Sequence, residues 1–163
     1  CMSVQIGMGA TVGAATKLRN GCSIAPGCII GSNSLFDHGV KIYGTGEEMT
    51  SAASGDGVRI GDRVRIGGGC SLWDGVCLYD GVQLGMGCKI GENSQIGTES
   101  ILAMGAKVGT GVIVGKQSQL GQGAFVDEDV KIPMGSILGP GTKVGKSGLT
   151  KSSSVGMKMS LLA

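Results

Sequence analysis

The chain has 163 residues, a net charge of +2 and no Lys/Arg run longer than two, so it lacks the field that nucleic acid or an anionic membrane surface selects, and neither is an expected partner. No apolar stretch approaches the ~20 residues of a membrane span and the start shows no charged-then-apolar leader, which makes the cytoplasm the expected location and small molecules the expected partners. With 33 glycines and 3% aromatics the composition would suit disorder, were the glycines not locked to one register.

From the N-terminus, every sixth residue is large and apolar: Ile6, Val12, Leu18, Ile24, Ile30, Phe36 and Ile42, then Ile60 through Val144. Two residues before each of these 22 positions stands Val, Ala, Ser, Thr or Cys. A period of six is neither a helix repeat nor simple alternation, so the unit is one short strand plus one corner. In Val58-Arg59-Ile60-Gly61-Asp62-Arg63 the first three residues form the strand, with Val58 and Ile60 pointing inward and Arg59 outward. Gly follows the large residue in 13 of 22 hexads, which suits a corner that needs backbone freedom.

Between Thr45 and Val58 the beat stops for twelve residues and resumes in phase. Two degenerate hexads there would bury Glu48 without a partner, so residues 46–57 are expected to form an extruded corner loop. Three strands and three corners close a triangular coil, so equivalent residues recur every 18 positions and stack at roughly 4.8 Å. The expected fold is all-β, a parallel β-helix of about seven triangular coils filling residues 1–146. A Ser/Lys/Met tail over 147–163 is placed to cap the last coil. Cys22, Cys28, Cys70 and Cys88 fall in the small slot, where a thiol acts as a compact hydrophobe, and their spacing matches no zinc motif.

The single histidine, His38, lies at a corner one hexad before the insert. With the insert cut out of the frame, Asn20 stacks on one side of it and Gly68, within Gly67-Gly68-Gly69, on the other. Missing side chains there leave open space for a ligand beside the imidazole, with the insert as a lid. Asp37 and Arg19 share a corner column, and the sequence leaves open whether Asp37 pairs with Arg19 or orients His38 or an acceptor. Tyr43 and Trp73 share another column and are expected to stack, holding a ligand or plugging the corner. Outward residues form further columns. One holds Lys41, Lys89, Lys107 and Lys143, a basic edge. Another reads Lys17, Leu35, Arg65, Gln83, Ile101, Gln119, Ile137 and is the candidate interface.

The order aliphatic, Gly, any two residues, small residue, any residue, kept from residue 4 to 146, resembles the hexapeptide-repeat acyltransferases. That resemblance implies a left-handed coil, an exception to the usual right-handed crossover. His38-Gly39-Val40-Lys41-Ile42 looks like the family's placement of a catalytic His four residues ahead of an interior aliphatic. The resemblance therefore implies acyl transfer from acetyl-CoA or another acyl-CoA to a hydroxyl or amine of a small molecule or sugar. His38 would be general base, a backbone N–H would stabilise the oxyanion, and no metal would be required. Asp37, Gly67, Gly68, Tyr43 and Trp73 then become substrate-binding candidates, Lys89, Lys107 and Lys143 the candidates for the phosphates of coenzyme A, and a homotrimer the expected assembly, with His38 at the corner closing its interface.

Two departures stand against that pattern. Arg65 fills a position where many sugar and antibiotic acetyltransferases carry Trp, and Gly139-Pro140-Gly141-Thr142-Lys143 replaces their Asn-Pro-Ala-Lys ending. The gamma-class carbonic anhydrases share the helix and a His-Gly step but need three zinc-binding histidines, and this chain has one. The competing readings are a non-catalytic trimeric β-helix scaffold or assembly module, and a gamma-carbonic-anhydrase-like protein without the metal site.

Overall fold

The computed structural model describes residues 3–43 and 57–146 and the backbone of 148–151. Among these there is no helix, and every hexad supplies one short strand. The strands fall into three parallel sheets, the faces of a prism. The first face begins at Gln5–Ile6, the second at Thr11–Val12 and the third at Lys17–Leu18, and the chain visits them in turn for about seven coils.

Registration follows the expected frame. Ile6 pairs with Ile24 and Leu84 with Leu102, each 18 residues apart. Across the insert the step becomes 30 on all three faces: Ile42 pairs with Leu72, Ile30 with Ile60 and Phe36 with Ile66. Twelve residues therefore leave the ladder and the next coil lands in phase. The insert itself, apart from Gly57, lies outside the described residues, as does the tail beyond Lys151. After Lys146 the chain reverses, and Gly148–Lys151 pairs antiparallel with Lys143–Gly145, extending the first face.

The interior is a single stack of large apolar side chains, with Ile30, Phe36, Ile66, Leu72, Ile90, Ile96 and Leu102 all essentially inaccessible. The ladder covers two residues per strand rather than three. From Cys22 onward the small residue just ahead of each strand is nonetheless buried, as Val58, Val64 and Val76 are, while Val4, Ala10 and Thr16 in the first coil are half-buried. Where that slot holds Ser, the hydroxyl is satisfied by the coils around it: Ser94 Oγ donates to the Gly109 carbonyl at 2.6 Å and accepts the Val112 N–H at 3.2 Å. Ser100 and Ser118 donate in the same way, to Gly115 and Pro133. Buried hydroxyls are tolerated because no hydrogen bond is lost on leaving water.

The reason for the corner glycines differs from the expected one. The Gly that follows each aliphatic does not occupy the left-handed region; positive φ falls two residues later, at Gly69 (71°) and even Asn93 (56°). What the first glycine answers is backbone crowding between coils. A Cβ on Gly97 would lie 2.6 Å from Lys116 N and 2.7 Å from the carbonyl carbon of Gly115. Close approach, not conformational freedom, selects Gly there.

Candidate functional site

The corner joining the third face to the first carries His38 at its tip. Gly39 N–H donates to the Asn20 carbonyl at 3.1 Å and Gly69 N–H to the His38 carbonyl at 3.0 Å, so Asn20, His38 and Gly68 stack in that order. The imidazole stands out from the corner with 62% of its surface exposed. Its Nε2 lies 3.8 Å from Asp37 Oδ1. The same oxygen accepts the backbone N–H of His38 at 2.8 Å and Arg19 Nη1 at 3.3 Å. The two roles that the sequence left open for Asp37 thus meet at one oxygen: it pairs with Arg19 from the preceding coil and sits beside the ring of His38. Both pairs are solvent-accessible, so each contributes little to stability and serves mainly to fix side-chain position.

Gly67, Gly68 and Gly69 place a rung without side chains beside this histidine. A Cβ on Gly68 would come 3.1 Å from the His38 carbonyl oxygen, while one on Gly69 would meet nothing within 4 Å. The neighbouring concavity, however, lies on the other side. A groove of about 470 Å³ crosses the first face over the coils preceding and containing His38, bounded by Gln5, Gly21, Ser23, Lys41 and Tyr43. Neither Gly67 nor Gly68 lines it, nor does His38, whose corner adjoins it at Gly21. At the groove's far end Tyr43 stacks on Trp73, with ring centroids 5.4 Å apart and planes inclined by 30°. The first face therefore runs from the imidazole corner to the aromatic corner, with the groove between them.

Cys22 borders the groove but is no nucleophile. Burial pushes its thiol above the ordinary value, and Sγ points at the Asp37 carbonyl 3.1 Å away. Among the described residues no three His, Cys, Asp or Glu side chains gather as a metal site, and no helix is long and apolar enough to cross a membrane.

The outward column of the first face stacks as expected through Lys41, Ser71, Lys89, Lys107, Phe125 and Lys143. Lys89 and Lys107 line a second trough, of about 380 Å³, between Trp73 and Phe125. Lys143 lies off its lining. The opposite wall carries Glu92 and Glu128, which the sequence reading missed. Their signal was present, since Asp74, Glu92, Thr110 and Glu128 recur at 18-residue steps along the next corner. On the third face Lys17, Leu35, Arg65, Gln83, Ile101, Gln119 and Ile137 form one column, with Ile101 and Ile137 40% and 45% exposed.

A family model described as the hexapeptide repeat of succinyl-transferase matches residues 57–94 and 88–128. No curated protein matches the chain. Among solved structures, the UDP-N-acetylglucosamine acyltransferase of Campylobacter jejuni aligns with a TM-score of 0.61 at 17% identity, over 86% of this chain and 62% of that one. A hexapeptide transferase family protein of Anaplasma phagocytophilum aligns with a TM-score of 0.59 at 14% identity, over 93% and 85%. The chain thus spans about three fifths of the Campylobacter enzyme, and at these identities what is shared is the fold. The chain carries the hexapeptide repeat over residues 57–128 and shares its fold with these transferases.

Proposed function

We propose that the protein is an acyltransferase that moves an acyl group from a coenzyme A thioester to a hydroxyl or amine of a small molecule, with His38 as general base. The observation that carries this reading is the accessible imidazole with its Nε2 3.8 Å from the Asp37 carboxylate, at a corner beside a rung of three glycines. In the proposed reaction the ring takes the proton of the acceptor as its oxygen or nitrogen attacks the thioester carbonyl. The carbon–sulfur bond then breaks and the coenzyme leaves as a thiolate that recovers a proton from the ring. Asp37, held by Arg19, balances the charge that the imidazole gains in between.

A homotrimer built through the third face belongs to the same proposal. Its column is poor in charge and apolar at three heights, and the His38 corner closes that face, so a neighbouring subunit would supply the wall that a single chain lacks.

The test is release of free coenzyme A thiol from acetyl-CoA across a panel of amino and hydroxyl acceptors. His38→Gln should cost turnover about 10²–10⁴-fold. Because a corner side chain adds little to the stacked core, Tm should stay within about 2 °C of the parent. Equal turnover in the variant would remove His38 as the base. Absence of acyl-CoA binding at millimolar concentration would point instead to the non-catalytic scaffold.

A further inference from the structure

The second trough gathers two lysines, two glutamates and two aromatic rings around a pair of glycine corners. Its lining includes the corner glycines Gly91 and Gly109, at the position where the flanking coils carry Trp73 and Asp127. Lys89 and Lys107, on adjacent paired strands of the first face, form one wall. Glu92 and Glu128, with Thr110 between them, form the other. Trp73 closes one end and Phe125 the opposite one. Arg19–Asp37 and Lys146–Asp129 are ion pairs among the described residues, and His38 Nε2 lies beside Asp37; none of these contacts uses a charge of this trough. Lys89 and Lys107 thus stand on one side of the glycine corners and Glu92 and Glu128 on the other, and no ion pair joins them.

We propose that this trough binds a zwitterion of amino-acid type, its carboxylate accepting from Lys89 and Lys107, its ammonium donating to Glu92 or Glu128, and an apolar side chain lying against Trp73. The opposed walls decide the class. A phosphate or other dianion would gain from the lysines and lose to two carboxylates, and a plain cation would meet the reverse. A zwitterion matches both walls at once and also replaces the missing pairing between them. The volume of about 380 Å³ sits at the small end of ligand pockets, fitting a metabolite rather than a polymer. The site is separate from the His38 corner and does not rest on the acyltransfer reading.

Trp73 is the chain's only tryptophan, so its emission reports this trough directly. Titration of the full chain with L-leucine should give a saturable change in that emission. L-leucinamide, which lacks the carboxylate, and N-acetyl-L-leucine, which lacks the ammonium, should each bind at least about tenfold more weakly. In the Lys89→Met/Lys107→Met variant leucine should fall to the level of its amide, and in Glu92→Gln/Glu128→Gln to the level of its N-acetyl form. No saturable change with leucine up to tens of millimolar, or equal binding of all three compounds, overturns the proposal. So does tighter binding of adenosine 3′,5′-bisphosphate than of leucine, lost in the lysine variant and kept in the glutamate variant, which would assign the trough to phosphate.

Discussion

The smallest decisions in this chain are made in the slot two residues ahead of each large aliphatic. Cys22, Cys70 and Cys88 read from sequence as compact hydrophobes, and they are buried as such. Each also behaves as a long serine, its Sγ donating to a corner carbonyl fifteen residues on: Asp37 at 3.1 Å, Gly85 at 3.0 Å and Ala103 at 3.2 Å. That part was not legible, because it depends on where the next coil's carbonyl points. Burial pushes the thiols of Cys22 and Cys28 above their ordinary 9.0. Cys88 is pushed up by its hydrogen bond with Cys70 and by burial. The unfolded chain therefore loses these protons first as pH rises. Their contribution to stability is complete below about pH 9 and declines above it, until the folded-state values are reached. Guanidinium midpoints at about pH 8 and about pH 10 should differ more for the parent than for Cys22→Ser/Cys28→Ser/Cys88→Ser. Parallel alkaline losses in the two proteins would mean that the thiols do not contribute.

At the scale of the hexad, strand and inward pair were legible because a period of six fixes which side chains share a face, and Arg59 out with Ile60 in is what the structure holds. The corner glycine was legible as a position and misread in its cause. Composition alone cannot separate a glycine needed for positive φ from one needed for room, since both look the same until neighbouring coils are stacked. Two substitutions separate them. Gly97→Ala drives a Cβ into the backbone at Gly115 and Lys116 and should cost about 2–3 kcal/mol. Gly105→Ala meets nothing within 4 Å but must hold φ near 72°, and should cost about 1 kcal/mol. Chemical denaturation of both variants gives the order, and a reversed order would return the explanation to backbone conformation.

For the whole molecule, the 18-residue step made columns readable, so Arg19 and Asp37 were legible as neighbours, though not which partner Asp37 takes, and with the insert cut out the Tyr43–Trp73 stack was foreseen. The grooves were not, because they depend on how far side chains reach across a corner; hence Glu92 and Glu128 went unnoticed and the concavity beside His38 falls on Gly21 rather than Gly68. The third-face column carries the assembly prediction: Ile101→Glu should convert a trimer to monomers by sedimentation at unchanged Tm, because that side chain points out of the core. An unchanged sedimentation coefficient would move any interface elsewhere. The twelve-residue insert gives the strongest test of the ladder. All three faces pair across it without a slip, so deletion of 46–57 joins Thr45 to Val58 and restores a corner of ordinary length after Ile42. Shortening the connection from about fifteen residues to about three changes closure entropy by only about 1.4 kcal/mol. The deletion should therefore unfold in one cooperative transition with Tm within about 5 °C of the parent. A collapse in cooperativity would show that the insert holds the coils it interrupts. If the variant melts like the parent yet is slower in the proposed reaction, the insert serves that reaction and not the stability of the prism.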